Sequence, residues 1–416
     1  MKLLHTADWH LGARLGRHDR LPDQVAAVRA VLEVARAEQP GLIVHAGDLF
    51  DASRPAYEAL EVGVQALGRL AEIAPTVVVC GNHDSRALFR VIDRLAGAVR
   101  PRRLWMVSEP RVLAFAELAP QPVALACVPF ISPAGAADLA SSDPHTAGGT
   151  YADAIRSIND QLLAEARRTA GARGIVLYAA HLHVHGARPG RSERRLTVGE
   201  DYATHLGGLE HALYCAFGHI HDPQLLPGGA AIGRYAGSLV PLDYGERVQR
   251  KQVVLVSIGN DVQVTEREIA TGRPLVEING SLEELKLRAA NGGLDNHILK
   301  ARIHSEHPIP DLADRLLAAS PHCAVFDLHN VSARQAARAI APSAGPDKEP
   351  SLVEQFREWR TTAARGVTAP HEMVAELLAE ALEGGDGEGG SDLGLGQLHG
   401  RAQQVLGALG AAPARS

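Results

Sequence analysis

The sequence predicts an α/β fold, a large domain followed by a smaller one, and three observations carry that expectation. Short apolar runs alternate with amphipathic helical stretches, the order that builds a sheet covered by helices. Several of those runs end in aspartate, asparagine or histidine, which puts chemistry-bearing residues beyond the carboxyl ends of strands, where such sheets gather their functional groups. At 416 residues the chain is too long for one ordinary domain and long enough to bury a sizeable core.

Taken in order, residues 2–7 read as a short buried strand ending at Asp8-Trp9-His10. A Gly- and Arg-containing loop follows, then a helix from Gln24 with Val25, Val28, Leu32 and Ala35 on one face. Residues 42–45 form the next strand, ending at Gly47-Asp48-Leu49-Phe50-Asp51. A helix over 56–73 carries Leu60, Val64, Leu67 and Leu70 at helical spacing, and a strand over 76–80 delivers Gly81-Asn82-His83-Asp84. Strands are expected at 123–128 and 174–180, the second ending at His181, with a loop over 132–149 and a helix over 151–170 between them. Residues 213–217 lead into Gly218-His219-Ile220-His221, and 231–238, 253–258 and 262–264 close the domain near residue 272.

A smaller α/β unit is expected over 273–345. It comprises strands at 275–278, 298–303 and 324–328, a helix opened by the Ser281/Glu284 capping-box spacing, and a helix over 312–317. It holds no ligand motif and is expected over or beside the site. After a linker at 342–350, residues 346–384 read as a partner-binding helical segment. Ser351 and Glu354 have capping-box spacing there, Leu352, Phe356 and Trp359 repeat at helical spacing, and Met373, Val374, Leu377 and Leu378 begin a second stripe. The Gly-rich stretch 385–416 is expected to be disordered.

Composition narrows the class. No run approaches eighteen uninterrupted apolar residues, and the N-terminus enters a strand without the form of a signal peptide, so a cytoplasmic protein with no membrane association is expected. Cys80, Cys127, Cys215 and Cys323 form no CxxC pair, which argues against a zinc ribbon or a disulfide framework. The formal charge of −6 excludes nucleic-acid binding by overall charge but not by local patches. Arginines gather beside the ligand motifs: Arg14, Arg17 and Arg20 after the first, Arg86, Arg90 and Arg94 after the third, and Arg188, Arg191, Arg194 and Arg195 after His181. Of these, Arg14, Arg17, Arg86, Arg191, Arg194 and Arg195 are the candidate nucleic-acid contacts.

Asp8, His10, Asp48, Asn82, His181, His219 and His221 make an inventory of hard and borderline ligands suited to Mn²⁺, with Mg²⁺ or another divalent ion as alternatives. A carboxylate where a strand meets the surface has lone pairs enough to face two cations, and Asp48 is the candidate bridge. Two cations about 3.5 to 4 Å apart clamp a phosphodiester and activate water for in-line attack, with no side-chain nucleophile. His83 is the candidate for orienting the phosphate or protonating the leaving oxygen, with Asp84 expected to hold its tautomer and Asp51 to support a ligand histidine. The His181-Leu182-His183 repeat admits two registers, and His181 is preferred because it directly follows the strand. Any one of these histidines alone reads as a packed residue. Four motifs in order, each ending a strand, do not.

These motifs, with Asp8-Trp9-His10-Leu11-Gly12 and residues 236–242, resemble the calcineurin-like metallophosphoesterases, and among them the SbcD-type exonucleases. The resemblance implies a four-layer αββα core, two Mn²⁺ ions, cleavage of DNA phosphodiester bonds and a place in DNA repair at the nucleoid. It implies that Asp8, His10, Asp48 and His221 hold one metal and Asp48, Asn82, His181 and His219 the other, with His83 catalytic. It further implies that 273–340 caps the DNA, that the helices from Ser351 dock on an SbcC-like coiled-coil ATPase, and that the chain forms a homodimer through helical faces around 56–73 and 86–98. Two other readings share part of this pattern. A small-molecule phosphodiesterase acting on cyclic nucleotides would use the same ligands but has little use for a capping unit and a partner helix pair. An inactive scaffold has no need to keep charged ligands buried together.

Overall fold

The computed structural model describes residues 1–332 except 117, 137–148, 191, 194–201 and 230, all within one compact unit, Met1–Ile340. Most of the expected 132–149 loop, Arg191, Arg194, Arg195 and everything expected of the linker, the partner helices and the tail lie outside the described residues.

The chain opens with β1 (Lys2–Thr6), a small hairpin of β2 (Arg14–Leu15) and β3 (His18–Asp19), and α1 (Leu21–Glu38). There follow β4 (Leu42–His45), α2 (Tyr57–Ile73), β5 (Thr76–Val79), α3 (Arg86–Ala98) and β6 (Leu104–Val107). Next come β7 (Arg111–Phe115), β8 (Val123–Val128), α4 (Tyr151–Ala170), β9 (Ile175–His181), β10 (Tyr214–Gly218), β11 (Gln224–Leu225) and β12 (Gly233–Tyr235). The hairpin β13 (Gln252–Ile258) and β14 (Val262–Glu268) completes the larger part. The smaller part is β15 (Leu275–Ser281), α5 (Leu282–Ala290), β16 (Ile298–Ser305), α6 (Leu312–Ala319) and β17 (Ala324–Ser332).

The large part holds two six-stranded sheets, ordered β14-β13-β1-β4-β5-β6 and β11-β12-β10-β9-β8-β7. Strand pleating explains why both are needed, because successive side chains point to opposite faces. Leu3, Leu42, Val44, Val77 and Val79 of one sheet meet Val123, Leu125, Cys127, Leu177 and Ala179 of the other in a shared inner core. Their neighbours Leu4, Ile43 and Val78 face α1 and α2, packing with Val28, Val31, Leu67 and Leu70. On the far side Ala124, Ala126, Tyr178 and Ala180 meet Ile155, Leu163 and Ala166 of α4. The order is therefore α/β/β/α. A one-residue slip in β4 would exchange Ile43 with Val44 and carry Asp48 out of the site, so two apolar layers pin the register of the strand that delivers it.

Local chemistry sets the element ends. Thr150 and Asp153 close a capping box on α4, Ser281 and Glu284 one on α5, and the Ser85 hydroxyl accepts from Leu88 N at the start of α3. The strands β6, β7 and β11 were not legible in the sequence. Each lies at a sheet edge; β11 has only two residues, and β6 and β7 carry short apolar runs, Leu104–Val107 and Val112–Phe115, with no ligand motif behind them to mark them.

The smaller part is a parallel sheet, β15-β16-β17, with its own core in which Leu285, Ala289, Leu312 and Leu316 cover Val276, Leu299 and Ala301. It meets the large part beside the β2–β3 hairpin, where Leu15, Tyr244, Leu275 and Ile298 pack together. Buried Asp23 binds both Arg20 (2.7 Å) and Arg273 (2.9 Å) at this seam. All four cysteines are buried and free, and no described helix is long and apolar enough to cross a membrane.

Candidate metal centre

Asp8 and His10 follow β1, Asp48 follows β4 and Asn82 follows β5, all in one sheet; His181 ends β9, and His219 and His221 follow β10 in the other. The seven candidate ligands thus stand at the carboxyl ends of both sheets, over the inner core. The chain has to turn sharply there. Asp8, His10, Asp48 and His219 take φ of 52°, 45°, 52° and 101°, a region that non-glycine residues seldom occupy and that costs about 1 to 3 kcal/mol each. Bonds from Asp8 N to Gly47 O (2.9 Å) and from His10 N to Asp48 O (3.1 Å) hold the turns. Gly47 and Gly81 are dictated by space as well: a Cβ on the first would lie 2.2 Å from His181 Nδ1, and on the second 2.1 Å from Asp48 Oδ1.

The donors fall into two groups. In one, His181 Nε2 lies 2.9 Å from Asn82 Oδ1, 3.3 Å from His219 Nδ1 and 3.3 Å from Asp48 Oδ2, and His219 Nδ1 is 2.9 Å from the same Asn82 oxygen. In the other, His10 Nε2 lies 3.1 Å from His221 Nε2 and 3.6 Å from Asp48 Oδ2. Asp8 sits beneath both, its carboxylate accepting from His219 N (3.0 Å). Within the site, Asp8 with His10 and His221, Asp8 with Asp48 and His181, and His10 with Asp48 and His83 each converge closely enough to hold one ion.

The far nitrogens show what these groups require. His181 Nδ1 donates to Ala46 O (2.8 Å), so the neutral ring, as a ligand, turns its Nε2 lone pair toward the oxygen acceptors. His10 Nδ1 faces Asp51 Oδ1 (3.2 Å) and His221 Nδ1 faces Ser192 Oγ (2.6 Å), so the two Nε2 atoms point lone pairs at each other. Acceptors converging on acceptors in a buried site fit a cation between them. Without a cation, a proton on His181 meets part of the same demand. Burial pushes the Asp8 carboxyl up to about 7, with His181 opposing and Asp48 adding to the rise. Burial also acts upward on Asp48, but the charge and hydrogen bond of His181 hold it well below the usual carboxylate range. Burial acts downward on His181, and the Asp48 and Asp8 carboxylates outweigh it and carry the imidazole up to about 9. The centre is short of positive charge.

Around these ligands, His83 N donates to Asp48 Oδ1 (2.8 Å), and its ring stands edge-on to His10 with centroids 4.8 Å apart. One expectation is corrected: Asp84 does not hold the His83 tautomer. His83 Nδ1 meets the Asp51 backbone carbonyl (2.6 Å), while both Asp84 oxygens accept backbone N–H groups, from Leu49 (3.2 Å), Phe50 (3.0 Å) and Gly81 (2.9 Å). Asp84 therefore ties the Asp48 loop to the Asn82 loop. Burial, reinforced by Asp48, pushes its carboxyl up to about 6 against those three donors. His183 is buried, its carbonyl accepting from Thr204 N (2.9 Å).

The arginines divide. Arg14 Nη2 bonds Arg17 O (2.7 Å), Arg17 Nη2 bonds Val325 O (3.1 Å) on β17, and Arg86 Nη2 bonds Phe130 O (2.7 Å). Phe130 lies stacked on His219 with centroids 6.1 Å apart. Phe130, Ser192, Glu193, Glu246 and Lys251 all reach ligand residues or their supports and were missed in the sequence. They lie far from the ligand motifs or in polar loops, and no short-range pattern marks them.

A family model described as calcineurin-like phosphoesterase matches residues 1–223. The D subunit of the nuclease SbcCD of Bacillus subtilis is 29% identical over 309 residues, covering 70% of this chain and 73% of that protein. Its Escherichia coli counterpart is 29% identical over 307 residues, covering 68% and 72%. Among solved structures, a dimetal phosphatase from Danio rerio is similar at 14% identity and a TM-score of 0.42, covering 64% of this chain and 96% of that one.

Proposed function

The chain belongs to the calcineurin-like phosphoesterase family, metal-dependent hydrolases of phosphoester bonds, and we propose that this member is a Mn²⁺-dependent DNA nuclease with exonuclease and endonuclease action. The observation that carries the two-metal reading is the pair of donor groups sharing Asp48, with imidazole lone pairs directed inward by Ala46 O, Asp51 and Ser192. Asp8, His10, Asp48 and His221 would hold one cation and Asp48, Asn82, His181 and His219 the other. Bound there, the cations supply an activated water and the positive charge that a phosphodiester needs in its transition state.

The side chains do the rest. His83, with Nδ1 committed to the Asp51 carbonyl, offers Nε2 to the phosphate or to the departing oxygen. Asp51 keeps the His10 ring turned inward, and Asp84 keeps the two ligand loops in register. DNA as substrate is supported by the relatives named as the D subunit of the nuclease SbcCD, by Arg14, Arg17 and Arg86, and by Arg191, Arg194 and Arg195, which follow His181 in the sequence. By the same likeness the protein is a cytoplasmic, nucleoid-associated component of a DNA-repair complex. Residues 273–345 cap the substrate and 346–384 dock on an SbcC-like coiled-coil ATPase. A homodimer through α2 and α3 is supported by the exposed Val64, Val91 and Leu95.

The test is cleavage of end-labelled linear double-stranded DNA, with bis-p-nitrophenyl phosphate in parallel, with and without Mn²⁺ and with Asp48→Ala as control. Mn²⁺-dependent loss of DNA by the wild type alone is expected. Hydrolysis of the small diester with DNA untouched, also in the presence of the ATPase partner, would favour a small-molecule phosphodiesterase; inactivity on both would return the scaffold.

A further inference from the structure

Two opposite charges lie buried behind the His10 and His221 half of the centre: Glu246 is 1% exposed and Lys251 is 1% exposed. Burying such a pair is costly unless every donor and acceptor finds a partner, and here they do. Lys251 Nζ reaches Glu246 Oε2 (2.7 Å), Ser238 Oγ (2.7 Å), Gln249 Oε1 (2.7 Å) and His221 O (3.1 Å). Glu246 Oε2 also accepts from Leu242 N (3.2 Å), and the Ser238 hydroxyl divides its one proton between Oε2 (3.1 Å) and Val240 O (3.0 Å). That leaves Oε1, and it faces the metal ligand: His221 Nδ1 is 3.4 Å away, and Ser192 Oγ donates to it.

The serine decides the tautomer. A hydroxyl has one proton to give, and Ser192 gives it to Glu246, so toward His221 Nδ1 (2.6 Å) it can only accept. His221 must then carry its proton on Nδ1 and present the Nε2 lone pair beside His10 Nε2. The same turn is fixed from outside the site. Asp243 Oδ1 caps it, accepting from Gly245 N (2.6 Å) and Glu246 N (3.1 Å), and Tyr244 runs the other way, donating from Oη to Ile298 O (3.0 Å) on the small sheet.

We propose that Glu246 is a positioning residue of the metal centre: acting on His221 directly and through Ser192, and braced by Lys251, it aims Nε2 at the cation of the Asp8, His10, Asp48 and His221 group. The inference rests on the functional reading above only for the assignment of His221 as a ligand. It does not depend on the substrate being DNA.

The experiment titrates the intact, metal-free chain with Mn²⁺ alone, counting ions by calorimetry and following the exchange-coupled signal of a Mn²⁺ pair by electron paramagnetic resonance. Wild type is expected to take up two ions with a coupled signal. Glu246→Gln is expected to bind one of them about 10- to 100-fold more weakly and to show an uncoupled, single-ion spectrum at intermediate Mn²⁺. Since Glu246→Gln leaves Lys251 buried without its counter-charge, Glu246→Gln/Lys251→Met is measured beside it. The double variant removes both charges, is expected to fold, and should show the same selective loss. Two ions bound with wild-type affinity and coupling in either folded variant would overturn the proposal. Failure of the wild type to bind a pair would overturn the two-metal reading itself, and with it this inference, before any substitution enters.

Discussion

The two halves of the metal centre are built differently. His181, in the half with Asn82 and His219, is aimed by a backbone carbonyl, Ala46 O, on a strand buried on both faces, and the close approach of Gly47 leaves its ring little room. His10 and His221, in the other half, are aimed by side chains: Asp51, whose carboxyl is 42% exposed, and the Glu246 and Ser192 pair. A carbonyl cannot be titrated or lost by mutation. A carboxylate can be both, so one half is fixed by the fold and the other is held by side chains that substitution reaches and, at Asp51, solvent as well.

The largest effect is expected where the halves meet. Asp48→Ala should remove the shared ligand, lower phosphodiester turnover by roughly four orders of magnitude or more, and reduce Mn²⁺ uptake in both halves together. Retention of one ion at native affinity would show that the halves do not share Asp48. His83→Ala should lower turnover by about 10²- to 10⁴-fold while the Mn²⁺ titration stays that of wild type. Loss of metal in that variant would move His83 from proton transfer to ligation and redraw the comparison.

Much of this site was legible because its candidate ligands end strands. Asp8, Asp48, Asn82 and His181 each follow an apolar run, and an apolar run ending in a ligand residue is a local signal. The supports were legible only where they sit close to a ligand in sequence. Asp51 stands three residues after Asp48 and was singled out, whereas Glu246 reaches His221 across a turn that no pattern announces. Asp84 shows the opposite failure, since adjacency to His83 suggested a pairing that the turn does not make; the carboxylate points to three backbone N–H groups instead. In the fold, β4 and β5 were read from apolar runs that lead into a ligand motif, whereas β6 and β7 carry apolar runs of their own at the sheet edges with no such motif behind them and were passed over. The doubling of the sheet came from the family resemblance, because the pleat alternation that divides Leu42 and Val44 from Ile43 is the same whether the inner face meets a helix or a second sheet.

Asp51→Asn probes the chemically held half alone. Affinity for the ion of the His10 group should fall about 10- to 100-fold, with the His181 group untouched. Acidity should act in the same direction. Burial works upward on the Asp51 carboxyl, but the hydrogen bond and charge of His10 hold it below the ordinary value. A carboxyl depressed in the folded state contributes its stability above the ordinary value and loses it as pH falls through the folded one. Wild type and Asp51→Asn in the metal-free state should therefore differ in thermal stability at pH 7 and converge in strong acid. The difference should be small, because Asp51 is partly exposed and water screens the pair. A gap that widened as the pH fell would mean that Asp51 supports His10 in some other way.

The smallest effects belong to the arginines, and they ask whether the asymmetry extends to the substrate. Arg86 borders the His181 half through Phe130, which stacks on His219, while Arg14 and Arg17 follow His10 on the loop that meets the small sheet. Each of the three spends one donor on a backbone carbonyl, which orients the guanidinium and leaves other N–H groups for phosphate. If DNA lies across both halves, Arg86→Ala and Arg14→Ala should each lower the slope of log affinity against log salt by about 0.9, with affinity at low salt falling only severalfold. Arg17→Ala should add a loosening of the seam with β17, seen as a lower melting temperature that Arg14→Ala does not share. A slope change confined to Arg86 would place the DNA on the rigid half alone. In that case Arg14 and Arg17 would serve the junction with the small sheet and not the nucleic acid.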